Sequence, residues 1–511
     1  MEVRGPAGLR QTAWLAGAVA VLVVPSIAFA QAATPEAAKL DAITKAVADN
    51  ATAINFVWVL VAGFLVMFMQ AGFALVETGF TRAKNAGHTI TMNFMVYGIA
   101  MLAYWVLGFA LQAGGVGALG TLGGYAGLNS EFTVSLFGKE FGLFGTTGFF
   151  LTGVAYNASV FAYFLFQMVF MDTTATIPTG ALAERWKFAS FAVFSVFIGA
   201  LIYPVFANWA WGGGWLSQLG KNFGLGHGYV DFAGSGVVHL TGGVTALVTA
   251  ILLGARRGKY NPDGSVNTIP AHNLPMALLG TFILAFGWFG FNAGSTLAGT
   301  DSRIAVIAVN TMLAGAMGGC AAMIYAWARH GKPDPGMCAN GTLAGLVAIT
   351  APCAFVTAPM AVLIGVIAGL LVSVAVPFID QKLRVDDPVG AIAVHGVNGL
   401  FGVLAVGLFA DGTYGDGTNG VVGGVRGLFY GDGTQIIAQS LGAVANITWV
   451  GLSAFVAWKI TGVLVRGHRV APRVEDEGLD MAEMGVLAYP ADLASPAVLP
   501  EAPRRKAIEA A

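Results

Sequence analysis

Charge is what this sequence has least of: Asp, Glu, Lys and Arg make up 10% of its 511 residues, where a soluble globular protein carries roughly 25%. That deficit excludes a water-soluble enzyme. The few charges balance to a net -1, which leaves no surplus to recruit nucleic acid or a strongly charged partner. Cysteine is equally scarce. Cys320, Cys338 and Cys353 are odd in number and form no C-x-x-C pair, so neither a disulfide framework nor a structural zinc site is expected. G-x-S-x-G and H-E-x-x-H are both missing, and no catalytic group is assigned.

Hydrophobic residues fill 56% of the chain and glycine occupies 71 positions, about 14% against a usual ~7%. With no G-X-Y period, that glycine must lie within apolar segments, where it lets helices approach closely in lipid. A membrane helix needs about 20 apolar residues. Eleven such runs follow residue 50, at roughly 55–78, 89–112, 158–181, 188–211, 233–255, 273–297, 304–328, 341–356, 358–380, 390–410 and 437–464. The eighth is short and interrupted by Pro352. The expected fold class is an all-α polytopic membrane protein with eleven transmembrane helices.

Residues 1–30 read as a cleavable signal peptide. Arg4 and Arg10 precede an apolar run from Ala13 to Ala28, and Ala28-Phe29-Ala30 forms an A-x-A site. Residues 31–54 are then an external N-terminal segment, 55–466 the transmembrane domain and 467–511 a tail. Alternate loops differ in charge. One set holds Arg82, Lys84, Arg185, Lys187, Arg256, Arg257, Lys259, Arg329, Lys332, Lys382 and Arg384, the other only Lys139, Lys221, Arg303 and Arg426. The positive-inside rule makes the richer set cytoplasmic, which puts the mature N-terminus outside and the tail inside a cell (inner) membrane. The signal peptide agrees independently. The external stretch 113–157 carries no readable motif, and the Pro/Ala-rich piece 490–511 is expected to be disordered.

Two apolar segments share a polar pattern. Asp231 to Gly243 and Asp387 to Gly399 both read D-x2-G-x3-V-H-x3-G, pairing His239 with His395. The copies open the fifth and tenth spans, so they enter from opposite faces, the arrangement of inverted repeats with a site near the midplane. Eight helical residues cover about 12 Å, against a half-core of about 15 Å. Both histidines thus reach the centre, where a polar ring needs a partner or an aqueous path. Asp231 and Asp387 are expected to act structurally, as N-caps. Two histidines without Cys, Asp or Glu at ligand spacing make a poor metal site, and no cofactor is expected.

The stretch DFAGSGVVH at 231–239 resembles the signature of the ammonium transporter (Amt/Rhesus) family, bacterial Amt branch. ALVETGFTRAKN at 74–85, GALAERWKF at 180–188, GWFGFNAGS at 287–295, and LRVDDP with VHGV within 383–397 match in order. The resemblance implies two five-helix halves of inverted topology plus a final helix, a homotrimer with one pore per subunit, and ammonium as substrate. It implies that His239 and His395 are the paired pore histidines and that Phe170 and Phe291 form the gate. Phe166, Trp211 and Ser295 become the external recruitment site, and Trp288 lines the pore. The tail, EGLDMAEMGVLAY at 477–489, resembles one that takes part in control by a PII signalling protein, but Met484 stands where the family has His. Ser235 likewise replaces the second Gly of D-F-A-G-G.

The chemistry asked of such a path is selection of ammonium over potassium, which has similar size and charge. Aromatic faces attract either cation by about 0.5–2 kcal/mol, so exclusion must come later. A bare ion entering a low-dielectric pore costs of order 20 kcal/mol by an idealised Born estimate, and several after relaxation. Removing a proton from an amine-like group near 10.4 costs roughly 4–5 kcal/mol at pH 7. Ammonium has that escape and potassium does not. Neutral histidines at the midplane can accept a hydrogen bond or relay the proton. An ammonium sensor signalling through its tail and a Rhesus-like gas channel remain as rivals.

Overall fold

The structure, a computed structural model, describes residues 35–489; the expected signal peptide and the piece 490–511 lie outside the described residues. The chain divides into two units, Met1–Ala48 and Asp49–Ala511. The described part of the first is helical and exposed. The second holds a helix bundle.

Among the described residues ten helices are long and apolar enough to cross a membrane, and one shorter apolar helix accompanies them. In chain order they are α1 (Ala38–Phe80), α2 (Ala83–Ala113), α3 (Ala158–Leu182), α4 (Phe188–Trp211), α5 (Ser235–Leu253), α6 (Leu274–Thr296), α7 (Arg303–His330), the short α8 (Pro335–Ile349), α9 (Ala358–Lys382), α10 (Ile392–Phe409) and α11 (Gly433–Leu464). The protein is a multi-pass α-helical membrane protein. Within the stretch 31–54, helix already begins at Pro35.

Local chemistry sets several starts. Asn157, Asn273, Asp334 and Asp432 each accept a backbone amide that the first turn of α3, α6, α8 or α11 leaves unpaired. Proline stands in the first turn of α6 and α8, where its missing N–H is no loss. The eighth span lies earlier than the sequence places it, Pro335–Ile349 instead of 341–356. It starts on the Asp334 cap and must stop before Pro352. A distant segment takes carbonyls at and just past its end: Ser235 Oγ donates to Val347 O at 2.7 Å, Ala233 N to Thr350 O at 3.2 Å and Phe232 N to Ala351 O at 3.3 Å.

Glycine draws α7, α8 and α9 together. A Cβ on Gly341 would lie 2.6 Å from the Gly318 carbonyl, and one on Gly345 or Gly365 would overlap the Ala314 carbonyl. Backbone cannot yield as a side-chain tip can. In lipid, such close approach supplies the packing that a hydrophobic effect between helices does not.

The fold class is all-α, and its one sheet among the described residues is a small hairpin in a loop. The loop 113–157 holds an antiparallel hairpin, Glu131–Leu136 with Lys139–Gly145. Phe137 and Gly138 turn it with φ of 55° and 70°, the positive pair that a type I′ hairpin turn requires. On the opposite face, the described part of the tail crosses the start of α2 and the loops after α3 and α5. Asp480 accepts from Gly87 N and His88 N at 3.0 and 2.8 Å, Glu475 accepts from Arg257 N at 2.7 Å, and Lys187 N donates to His468 O at 2.8 Å. Beneath the tail, buried Arg256 grips Asp386 through Nε and Nη2, both at 2.9 Å. That pair joins the end of α5 to the approach to α10.

Candidate functional site

The two repeat copies build matching local structures from opposite faces. Asp231 accepts Gly234 N at 2.9 Å and Gly236 N and Val237 N at 2.8 Å; Asp387 accepts Val389 N, Gly390 N and Ile392 N at 3.2, 3.0 and 2.7 Å. Gly234 and Gly390 both take left-handed backbone, with φ of 114° and 80°. That is why glycine stands there: the turn that lets one carboxylate collect three amides excludes a Cβ. Each turn leads into a wider π-helical turn, Ser235–Leu240 and Ile392–Val397, a feature often found at functional sites.

Those turns point His239 and His395 at each other. Their Nδ1 atoms are 3.1 Å apart and both rings are buried. His239 Nε2 is buried with no protein partner. Close backbone packing brings the two helices together here. A Cβ on Gly243 would overlap the Gly396 amide, and one on Gly399 would lie 2.6 Å from Ser235 O.

On the hairpin side of the histidines runs a column of rings. Phe291 stacks on His239 at 5.4 Å between centroids, Phe170 on Phe291 at 4.1 Å, and Phe166 meets Phe170 at 4.7 Å. Trp288 lies 5.3 Å from His239 in a near-parallel stack, held by Nε1 donating to Thr350 Oγ1 at 2.8 Å. Phe170 and Phe291 are buried and close the column. Beyond them opens a vestibule of about 410 Å³ lined by Phe166, Trp211 and Ser295, the expected recruitment residues, and by the gate residue Phe170, together with Tyr163, Gln167, Phe232 and Asn419. Trp211 Nε1 donates to Asp231 O at 2.7 Å, which fixes its ring. The Ser295 hydroxyl donates to Phe291 O at 2.8 Å, so its lone pairs remain to accept an N–H.

Residues 57–489 match the sequence model of the Ammonium Transporter Family. The chain belongs to that family. Ammonium transporter Amt2 of Archaeoglobus fulgidus is 46% identical over 440 residues, covering 86% of this chain and 88% of its own. The ammonium transporter of Bacillus subtilis is 34% identical over 85% of this chain and 98% of its own. Among solved structures, one described as a sensor Amt protein matches with TM-score 0.74 and 38% identity over 85% of this chain and 99% of its own; Candida albicans Mep2 matches at 0.68 and 27% over 86% and 90%.

Sequence reasoning did not single out the residues on the far side of the histidine pair. On the far side of the pair, Phe73 lies 6.0 Å from the His395 ring, and a small cavity continues from His395 to Glu77. Glu77 and Asp172 are both buried inside spans. The signal was present in the sequence, because an acid within an apolar run marks a functional site by default.

Proposed function

We propose that the protein binds ammonium in the vestibule, takes its proton, and conducts neutral ammonia past His239 and His395 while the proton is relayed alongside. The observation that carries this reading is the histidine pair at the end of the ring column, joined Nδ1 to Nδ1 at 3.1 Å with His239 Nε2 unpartnered. Such a bond requires one Nδ1 to donate and the other to accept, so the pair cannot be doubly charged at those atoms. One nitrogen then stands free for a passing ammonia or its proton. Phe166 and Trp211 offer π faces to the cation and Ser295 accepts its N–H. Phe170 and Phe291 must part to admit it, and Trp288 walls the path. Asp231 and Asp387 position both histidines through the turns they cap.

The hairpin face is the outer one and the tail face cytoplasmic in this reading, with residues 1–30 removed as a signal peptide and the protein in the cell (inner) membrane. A homotrimer and a PII protein meeting the tail face complete the proposal. The test is an ammonium pulse on proteoliposomes holding the full chain. Ammonium-dependent current is expected, and neither current nor flux would sink the transport reading. Saturable binding without flux would favour a sensor, the second reading that the 38% identical sensor Amt structure supports. His239→Ala is expected to admit potassium, because it removes the group that takes the proton.

A further inference from the structure

We propose that Glu77 receives the relayed proton beyond the histidine pair through one water held between it and His395; this rests on the transport reading above. The cavity joining them measures about 20 Å³ and is lined by Phe73, Glu77, Asn340, Val389 and His395 among others. One water needs about 10–15 Å³ and two to four polar partners. Glu77, Asn340 and His395 meet that need in an otherwise apolar wall. Asn340 is itself held there, its Nδ2 donating to Val389 O at 3.2 Å.

Glu77 is aimed by its neighbours. Its Oε2 accepts from Asn93 Nδ2 at 2.6 Å and from Thr179 Oγ1 at 2.7 Å, and Asn93 Oδ1 accepts from Thr176 Oγ1 at 2.7 Å. Gly180 leaves room for the carboxyl, since a Cβ there would lie 2.9 Å from Glu77 Cδ. Neither acid nor cavity is needed to pass uncharged ammonia. Both are needed if a proton is to leave the pair without entering lipid.

The step balances. Ammonium gives a proton to His239 Nε2, the Nδ1–H of His239 passes to His395 Nδ1, and the Nε2–H bond of His395 breaks as the water takes that proton. An O–H bond of the water breaks as a Glu77 carboxylate oxygen binds its proton, which then leaves toward the tail face. Ammonia follows uncharged, one proton for each ammonium.

The readout is charge moved per nitrogen taken up, measured with current and ammonium uptake on the same proteoliposomes. Glu77→Gln still accepts from Asn93 and Thr179, so a purely structural acid would leave that ratio unchanged, and an unchanged ratio overturns the proposal. The expected result is a fall of at least tenfold, partly restored in Glu77→Asp. If both variants fail to fold, Val389→Leu decides, because it fills the water's space without touching the bonds to Glu77. A lower ratio supports the relay, and a native ratio overturns it. No current in the native protein would instead overturn the transport reading.

Discussion

Removing the Asp231 carboxylate tests whether this acid is a structural part or a participant in chemistry. Its two oxygens accept three backbone amides, from Gly234, Gly236 and Val237, at 2.8–2.9 Å, and its side chain is buried. Asp231→Ala strands all three donors in a site closed by Trp211 and Tyr229. An unsatisfied buried donor costs about 1–3 kcal/mol. Because two of the bonds share Oδ2, the losses overlap, and the expected destabilisation is about 3–6 kcal/mol. Asp387→Ala should cost a similar amount, since it also strands three amides. Asp231→Asn keeps one acceptor oxygen and should fall between. Unfolding in mixed micelles, followed by tryptophan fluorescence, measures the series. If Asp231→Ala unfolds within about 1 kcal/mol of the native protein, smaller than one such lost donor, the capping argument is wrong. A folded Asp231→Asn variant should still carry ammonium current. Loss of current from a protein of native stability would give the acid a chemical role instead.

Gly243→Ala should prevent folding or assembly, because its Cβ would overlap the Gly396 amide, whereas Gly396→Ala meets nothing closer than 3.5 Å and should be tolerated; comparing membrane yield and melting temperature checks the pair. Ser235→Gly should cost about 1–3 kcal/mol, because the Ser235 hydroxyl also accepts Ala351 N at 2.7 Å, and a native melting temperature would refute this. On the hairpin face, burial raises the Glu131 carboxyl to about 7 from 4.5, against a lowering hydrogen bond from Asn208. The unfolded chain gives up this proton first, so stability falls as pH rises from about 4.5 through about 7. Glu131→Gln should flatten that part of the melting curve against pH, and an unchanged slope would show that other groups set it.

Much of this protein is legible in its amino-acid sequence, for a physical reason. Lipid demands long apolar runs with internally paired backbone, and it makes polar residues rare enough for a two-copy pattern such as D-x2-G-x3-V-H to stand out. The spans, the family resemblance and the coupling of His239 to His395 all follow from that scarcity. What each small residue does is not legible there. Gly234 and Gly390 serve left-handed turns, while Gly243 and Gly399 serve backbone contact, and composition does not distinguish these uses. Ser235 reads in the sequence as a minor replacement of a glycine. Its hydroxyl in fact ties the end of α8 to the start of α5, two segments more than a hundred residues apart. The same holds for Glu77, which shares a cavity with a histidine more than three hundred positions away. Sequence determined which residues lie in the membrane, because solubility in lipid is a property of each segment. Only the packing of those segments decided which polar atoms meet, because a partner from another helix is set by distance in space and not along the chain.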